Sequence, residues 1–187
     1  MSTRMLRTTS ELEAALDHLR AAPADAGPVT LVVRRPERLA RELLDAGVLD
    51  TEAGLVGDNW LSRATSRAVD EGRHREAMLT LMSARMVGLL ADDDEGRALA
   101  GDQLYVDLDL SVDRLPVGTR LAVGDDAVLE IAAKPHRGCQ KFVARFGADA
   151  MAFVNSEEGV RLRLRGVYAR VLEGGVVRPG DVVRHLG

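Results

Sequence analysis

The chain has 187 residues, 46% of them hydrophobic and 29% charged, enough apolar material for one substantial core. Aromatics make up only 3% and the formal net charge is −4, which argues against a base-stacking nucleic-acid surface and against general polyanion binding. No apolar run approaches the ~20 residues that span a bilayer, the opening "MSTRMLRTTSELEAAL" lacks a signal-peptide core, and one cysteine allows no internal disulfide; a cytoplasmic protein without nucleic-acid or membrane partners is expected.

Along the chain, "TSELEAALDHLRAA" predicts a helix, with a capping box of Ser10 and Glu13 and an apolar face of Leu12, Ala15, Leu16 and Leu19. Val29 to Val33, "VTLVV", reads as a strand rich in β-branched residues. Pro36 is placed to open a second helix, "PERLARELLDAG", which Gly47 would end. "GLVGDNW" (Gly54 to Trp60) pairs two glycines with polar residues and the single tryptophan. Ser62 to Glu76 is polar without a clean period and is expected as an exposed loop. Ala77 to Ala91 is apolar enough to be a buried strand followed by a short helix, and Asp92 to Gly96 reads as a solvated acidic turn.

The remaining residues carry strand signals. "LPVGTRLAV", "GDD" and "AVLEIAA" form a strand, a tight turn and a returning strand. "GVYARVL", "EGG" and "VVRPGDVVRHL" are expected to repeat that scheme. "RLRLR" alternates, which would place Arg161, Arg163 and Arg165 on one strand face, either solvated or reading phosphate. No linker divides the chain, so one α+β domain is expected over 1–187, with a helix/strand/helix extension over about 1–50 and a β-rich core over about 51–187.

Most familiar chemistries are absent. There is no Walker loop and no GxGxxG, no GxSxG elbow, and no His or Cys spacing that makes a zinc site. What remains is "KPHRGCQKF", residues 134 to 142, which holds Cys139. Lys134, His136, Arg137 and Lys141 flank the thiol, with Arg145 further on, and Pro135 and Gly138 bend the chain around it. Nearby cations favour the thiolate and attract an anion such as phosphate or a metal oxoanion. If the loop leads into a helix, Lys141 and Arg145 share a face. The competing reading is that Cys139 packs as a small buried hydrophobe.

Four segments together resemble the MOSC-domain family, related to the C-terminal domain of molybdenum cofactor sulfurase. They are "GLVGDNW", "AGDQLYVDLDLSVDRLPVGTRLAVGDDAVLEI", "PHRGCQKFVARFG" and "RLRLRGVYARVLEGGVVRPGD". The resemblance implies a β-barrel-like core with peripheral helices. It implies that Cys139 carries sulfur or ligates molybdenum in a molybdenum–pterin cofactor, and it points to reduction of N-hydroxylated compounds as one activity. An external sulfur or electron donor protein and a small-molecule substrate are then expected. Cofactor contacts are expected from His136, Arg137, Lys141 and Arg145. Asp58 and Asn59 are either further contacts or part of a turn beside a core tryptophan. Gln103 either fixes a ligand or satisfies loop backbone, and Arg85 is either a structural ion pair or an anion-site residue. The alternative function is a non-catalytic module that binds an anionic small molecule.

Overall fold

The computed structural model describes residues 6–186. Residues 1–5, the start of the stretch read for a leader, lie outside the described residues. Two short helices, α1 (Thr9–Ala14) and α2 (Leu16–Arg20), precede the long strand β1 (Ala26–Arg34). The short strands β2 (Glu42–Leu43), β3 (Gly47–Asp50) and β4 (Gly54–Leu55) follow, then α3 (Ser66–Asp70) between two single 3₁₀ turns, Leu61–Arg63 and Arg73–Ala77. Next come β5 (Leu79–Ser83), α4 (Ala84–Leu90), α5 (Asp94–Ala98) and β6 (Leu104–Val106). The order ends with β7 (Arg120–Val123), β8 (Ala127–Ile131), α6 (Gln140–Asn155), α7 (Glu157–Arg161), β9 (Val167–Glu173), β10 (Gly175–Val177) and β11 (Val182–Leu186).

Seven strands close into a barrel in the order β1-β11-β7-β8-β9-β5-β6, returning to β1, with β2 hairpinned onto β1. This is the α+β, MOSC-like barrel expected from the sequence. Only β5 and β6 run parallel, and α4 and α5 make the crossover that parallel neighbours require. β10, β3 and β4 form a small side sheet.

Alternation sorts the side chains into two cores. Leu79, Leu81, Leu104, Val106, Leu121, Val123, Leu129 and Ile131 fill the barrel. Leu31, Val33, Met82 and Tyr105 point outward and are covered by Leu12, Met86, Leu90, Phe142, Phe146 and Phe153 from the helices. β5 is buried along its whole length because both of its faces are covered, which explains its unbroken apolar run. In β1 a bulge between Val29 and Leu31 shifts the parity, so Val29 and Val32 enter the barrel while Leu31 and Val33 face the helices.

Several sequence expectations are corrected. The first helix is capped two residues earlier, by a capping box of Thr8 and Glu11, and it breaks at Ala15. Residues 36–46 form no helix. Glu42 and Leu43 pair with Arg34 and Val33, the Leu44 N–H donates to the Val32 carbonyl at 2.9 Å, and Leu39 adopts φ 70° and is exposed. Hydrogen bonding to the barrel edge, together with packing of Leu44 on the barrel core, overrides the helical pattern. The polar stretch 62–76 contains α3, capped by Thr65, rather than a plain loop, and Asp93 caps α5 within the acidic turn. "RLRLR" is no strand. Arg161 ends α7, Arg163 turns at φ 50°, and Arg165 is buried. β9 does not form a hairpin with its successors: it pairs with β8 and β5, while β11 pairs with β7 and β1.

Candidate functional site

The loop from Ala132 to Cys139 leaves β8 and enters α6. Cys139 is the N-cap of that helix, in extended backbone at φ −134°. Its side chain is exposed, so it does not pack in either core. The preceding glycine is held tightly. The Gly138 N–H donates to Asn155 Oδ1 at 2.9 Å, and Asn155 Nδ2 donates back to the Gly138 carbonyl at 3.1 Å. A Cβ on residue 138 would sit 3.1 Å from Asn155 Nδ2, Met151 and Val154. α6 is broken at Gly147 (φ 91°, ψ 167°), and its last residue turns back to pin the loop that leads into its first turn.

Cys139 opens into a cleft of about 360 Å³ lined by Arg35, Arg38, Arg41, Arg63, Arg137, Lys141, Arg145 and Arg165. No acidic side chain lines it among the described residues. Among the described residues the side chains of Arg38, Arg63, Arg137 and Lys141 make no hydrogen bond or ion pair, whereas Arg145 donates to the Leu99 carbonyl at 2.5 Å. Gly101, at φ 89°, leaves room for two guanidinium groups: a Cβ would lie 3.0 Å from Arg41 Nη2 and 3.3 Å from Arg145 Nη1. Burial, and then the charges of Arg145 and Arg35, bring the Arg41 pKa down to about 10.

The thiol answers to this field. Partial burial raises its pKa. The N–H groups of Phe142 and Lys141 at the start of α6, with the charges of Arg165 and Lys141, outweigh that and hold it below the usual thiol range. The sulfur makes no close capping hydrogen bond, so these N–H groups act on it at longer range.

Behind the cleft lies a buried polar wall. Arg165 Nη1 donates to Asp102 Oδ2 at 2.6 Å and Nη2 to the Ala100 carbonyl at 3.0 Å, with the guanidinium 5.1 Å from the Phe142 ring. His136 Nδ1 stops 3.6 Å from Asp102 Oδ1, and both atoms are buried without a hydrogen-bond partner. The His136 ring leans on Tyr168 at 4.5 Å. Burial, and then the charge of Arg165, push its pKa down to about 3 despite the nearby Asp102 carboxylate. Desolvation dominates here because the carboxylate is already engaged by Arg165.

The structure brings His136, Arg137, Lys141 and Arg145 to the cleft with Cys139. It places four other candidates elsewhere. Asp58 accepts from Arg35 Nε at 2.8 Å and Nη2 at 2.7 Å, and from the Trp60 N–H at 2.9 Å, so it braces the cleft from behind. Gln103 Oε1 accepts from the Thr80 N–H at 2.9 Å and Oγ1 at 2.6 Å, and its amide donates to Asp58 Oδ1 and the Met78 carbonyl at 3.3 Å. Asn59 follows the turn that seats the buried Trp60, and its Oδ1 is buried without a partner. Arg85 pairs with Asp107 at 2.6 Å and donates to the His18 carbonyl at 2.8 Å, away from the cleft.

The candidates read from the sequence do not include Arg35, Arg38, Arg41, Arg63, Tyr168 and Asn155, and they include Arg165 only as one of three strand-face arginines, either solvated or reading phosphate. The density of arginine in "RRPERLAR" was a usable signal, masked by the helical reading of those residues.

Residues 98–184 match the family model for the MOSC domain, from the end of α5 through most of β11. That match to the MOSC domain spans a little under half of the chain. Among solved structures, the YuaD protein of Bacillus subtilis is similar over 100% of both chains, at 16% identity and a TM-score of 0.57. YiiM from Geobacillus stearothermophilus is similar over 87% of this chain and 75% of its own, at 14% identity and a TM-score of 0.58. YiiM from Escherichia coli gives 16% identity and a TM-score of 0.54, over 87% of this chain and 70% of its own. At these identities the likeness shows the fold alone. No curated protein matches the chain. Among the described residues no helix is long and apolar enough to cross a membrane.

Proposed function

We propose that this MOSC domain receives the phosphate-bearing pterin of a molybdenum cofactor, or sulfur destined for it, at Cys139. The observation that carries the reading is an exposed thiol, held below its usual pKa range, opening into a cleft lined by eight basic side chains and no acid. Its exposure supports this reading over Cys139 as core packing.

The residues fit such a group in two respects. Unpaired Arg38, Arg63, Arg137 and Lys141 can donate to phosphate oxygens, and the Arg41 Nε–H is buried without an acceptor. The donor set also fits a metal that arrives already ligated: among the described residues no cluster of three or more His, Cys, Asp or Glu could hold a bare ion. Cys139 would then add one soft thiolate to a sulfur-rich centre. When bound, that centre supplies a redox-active coordination position suited to reducing N-hydroxylated compounds, with electrons from an external donor protein.

Sulfur carriage asks less of the site. The Cys139 thiolate attacks the outer sulfur of a donor persulfide, the donor's S–S bond breaks, and the donor leaves as its thiolate. Cys139 then holds the transferred sulfur as a persulfide, with no net change in electrons. The cations stabilise the anionic sulfur before and after the exchange, and Lys141 and Arg137 are free to do so.

Wild type and Cys139→Ser, expressed with an intact pterin pathway, provide the test. Molybdenum, bound pterin, and sulfur transferred from a persulfide donor are measured on both. The wild type is expected to hold metal and pterin or to accept sulfur, and the variant to lose at least tenfold. Equal, negligible values for all three in both proteins would refute the proposal.

A further inference from the structure

Beyond the cysteine cleft lies a second cavity of about 620 Å³, lined by Trp60, Ala64, Thr65, Ala68, His74 and Tyr168 among others. The two adjoin, since Arg63, Ala77, Pro135 and Tyr168 line both. One end is a cationic funnel and the other is walled by rings, with Arg73 and Glu76 also lining it. His74 lies parallel to Trp60, with centroids 5.9 Å apart and planes within 3°. Trp60 is nearly buried and forms the back wall, while His74 and Tyr168 are half-buried, and the Tyr168 ring already meets the His136 ring at 4.5 Å. The N–H of the Trp60 indole is already used on the Ala53 carbonyl at 2.5 Å, so this wall offers stacking rather than a polar contact. Lys134, which lines the second cavity, sits 5.0 Å over the Tyr168 ring.

Charge constrains what lies in the cationic end. Arg35 and Arg165 are neutralised by Asp58 and Asp102. Arg38, Arg63, Arg137 and Lys141 have no partner among the described residues, and Arg41 and Arg145 bond only to backbone carbonyls. Six uncompensated cations around one cleft repel each other. A single phosphate, with a charge of about −2, would leave most of that repulsion in place. A diphosphate brings more charge and more acceptor oxygens, and it spans a longer path.

Resting on the proposed anion-binding role of the cysteine cleft, we infer that the adjoining cavities take a planar nitrogen heterocycle linked to a diphosphate, as in a nucleoside diphosphate. The diphosphate lies among Arg38, Arg63, Arg137 and Lys141, and the ring lies against His74 and Tyr168. Arg63, which lines both cavities, marks the turn from one part of the ligand to the other.

Trp60 is the single tryptophan of the chain, so its emission reports the ring-walled cavity directly. Pyrophosphate, adenosine, AMP and ADP are titrated into the protein while tryptophan emission and the rate of Cys139 alkylation are followed. ADP is expected to bind at least tenfold more tightly than each of the other three and to change the Trp60 emission. Pyrophosphate is expected to slow alkylation without the emission change. His74→Ala should remove the ADP advantage over pyrophosphate while leaving pyrophosphate binding within twofold. If ADP binds no better than AMP or pyrophosphate, or leaves the emission unchanged at saturation, the two-part ligand is wrong although the anion site survives. If pyrophosphate also fails to protect Cys139, the anion-site reading fails with it.

Discussion

His136 is the group whose titration is most displaced in the site. It is packed against Tyr168, faces the Asp102–Arg165 pair, and has Arg35 and Lys134 nearby. Its pKa falls from 6.5 in the unfolded chain to about 3 in the folded one. The unfolded state therefore binds the additional proton below pH 6.5, and folding stability is lost as the pH falls through that window. From the shift, the loss between pH 7 and pH 5 is about 2 kcal/mol. The lowered carboxylates Glu11, Asp50, Glu71 and Glu158 act below their unfolded values and so leave the pH 7 to 5 range largely to the histidine. Urea unfolding of His136→Gln is expected to show that slope flattened. The same loss of stability in variant and wild type would remove His136 as its source.

At the scale of elements, the cysteine is aimed by the second arm of α6, which turns back past the non-helical Gly147 (φ 91°). The two Asn155–Gly138 hydrogen bonds link the end of α6 to the residue before its N-cap. Asn155→Ala should cost about 1–2 kcal/mol for the lost pair. It should also raise the inflection of the Cys139 alkylation profile toward the free-thiol value of about 8.5, because the sulfur is no longer fixed over the first turn. An unchanged inflection would show that Asn155 has only a structural role. Local pattern made β1, β5 and the β7–β8 hairpin, whose strands meet around Gly124, legible, but after the cysteine loop it gave only a short helix amid strand signals, where α6 runs from Gln140 to Asn155. It failed where a distant partner decided. Residues 36–46 carry a helical pattern but hydrogen-bond to β1 instead. Arg165 looked like one of three alternating surface arginines, but it pairs with Asp102, 63 residues away. β9 and β11 were recognisable as strands, but their pairing was not, since each bonds to strands brought beside it by barrel closure.

For the molecule as a whole, a net charge of −4 hid the feature that matters most. The barrel gathers arginines from residues 35–41, from the turn at Arg63, from the cysteine loop and α6, and from the end of the helical segment at Arg165, and sets them around one thiol. Total charge speaks to general polyanion binding, but a local cluster can still focus a strong positive field inside a cleft. The proposed function requires Cys139 to be an accessible thiolate within an anion-binding site. Its most direct test is the rate of Cys139 alkylation across pH in the native protein, with and without pyrophosphate. The rate is expected to inflect below the free-thiol value of about 8.5 and to fall severalfold when pyrophosphate is present. A thiol that reacts only after denaturation, or whose native reaction ignores pyrophosphate, would contradict it.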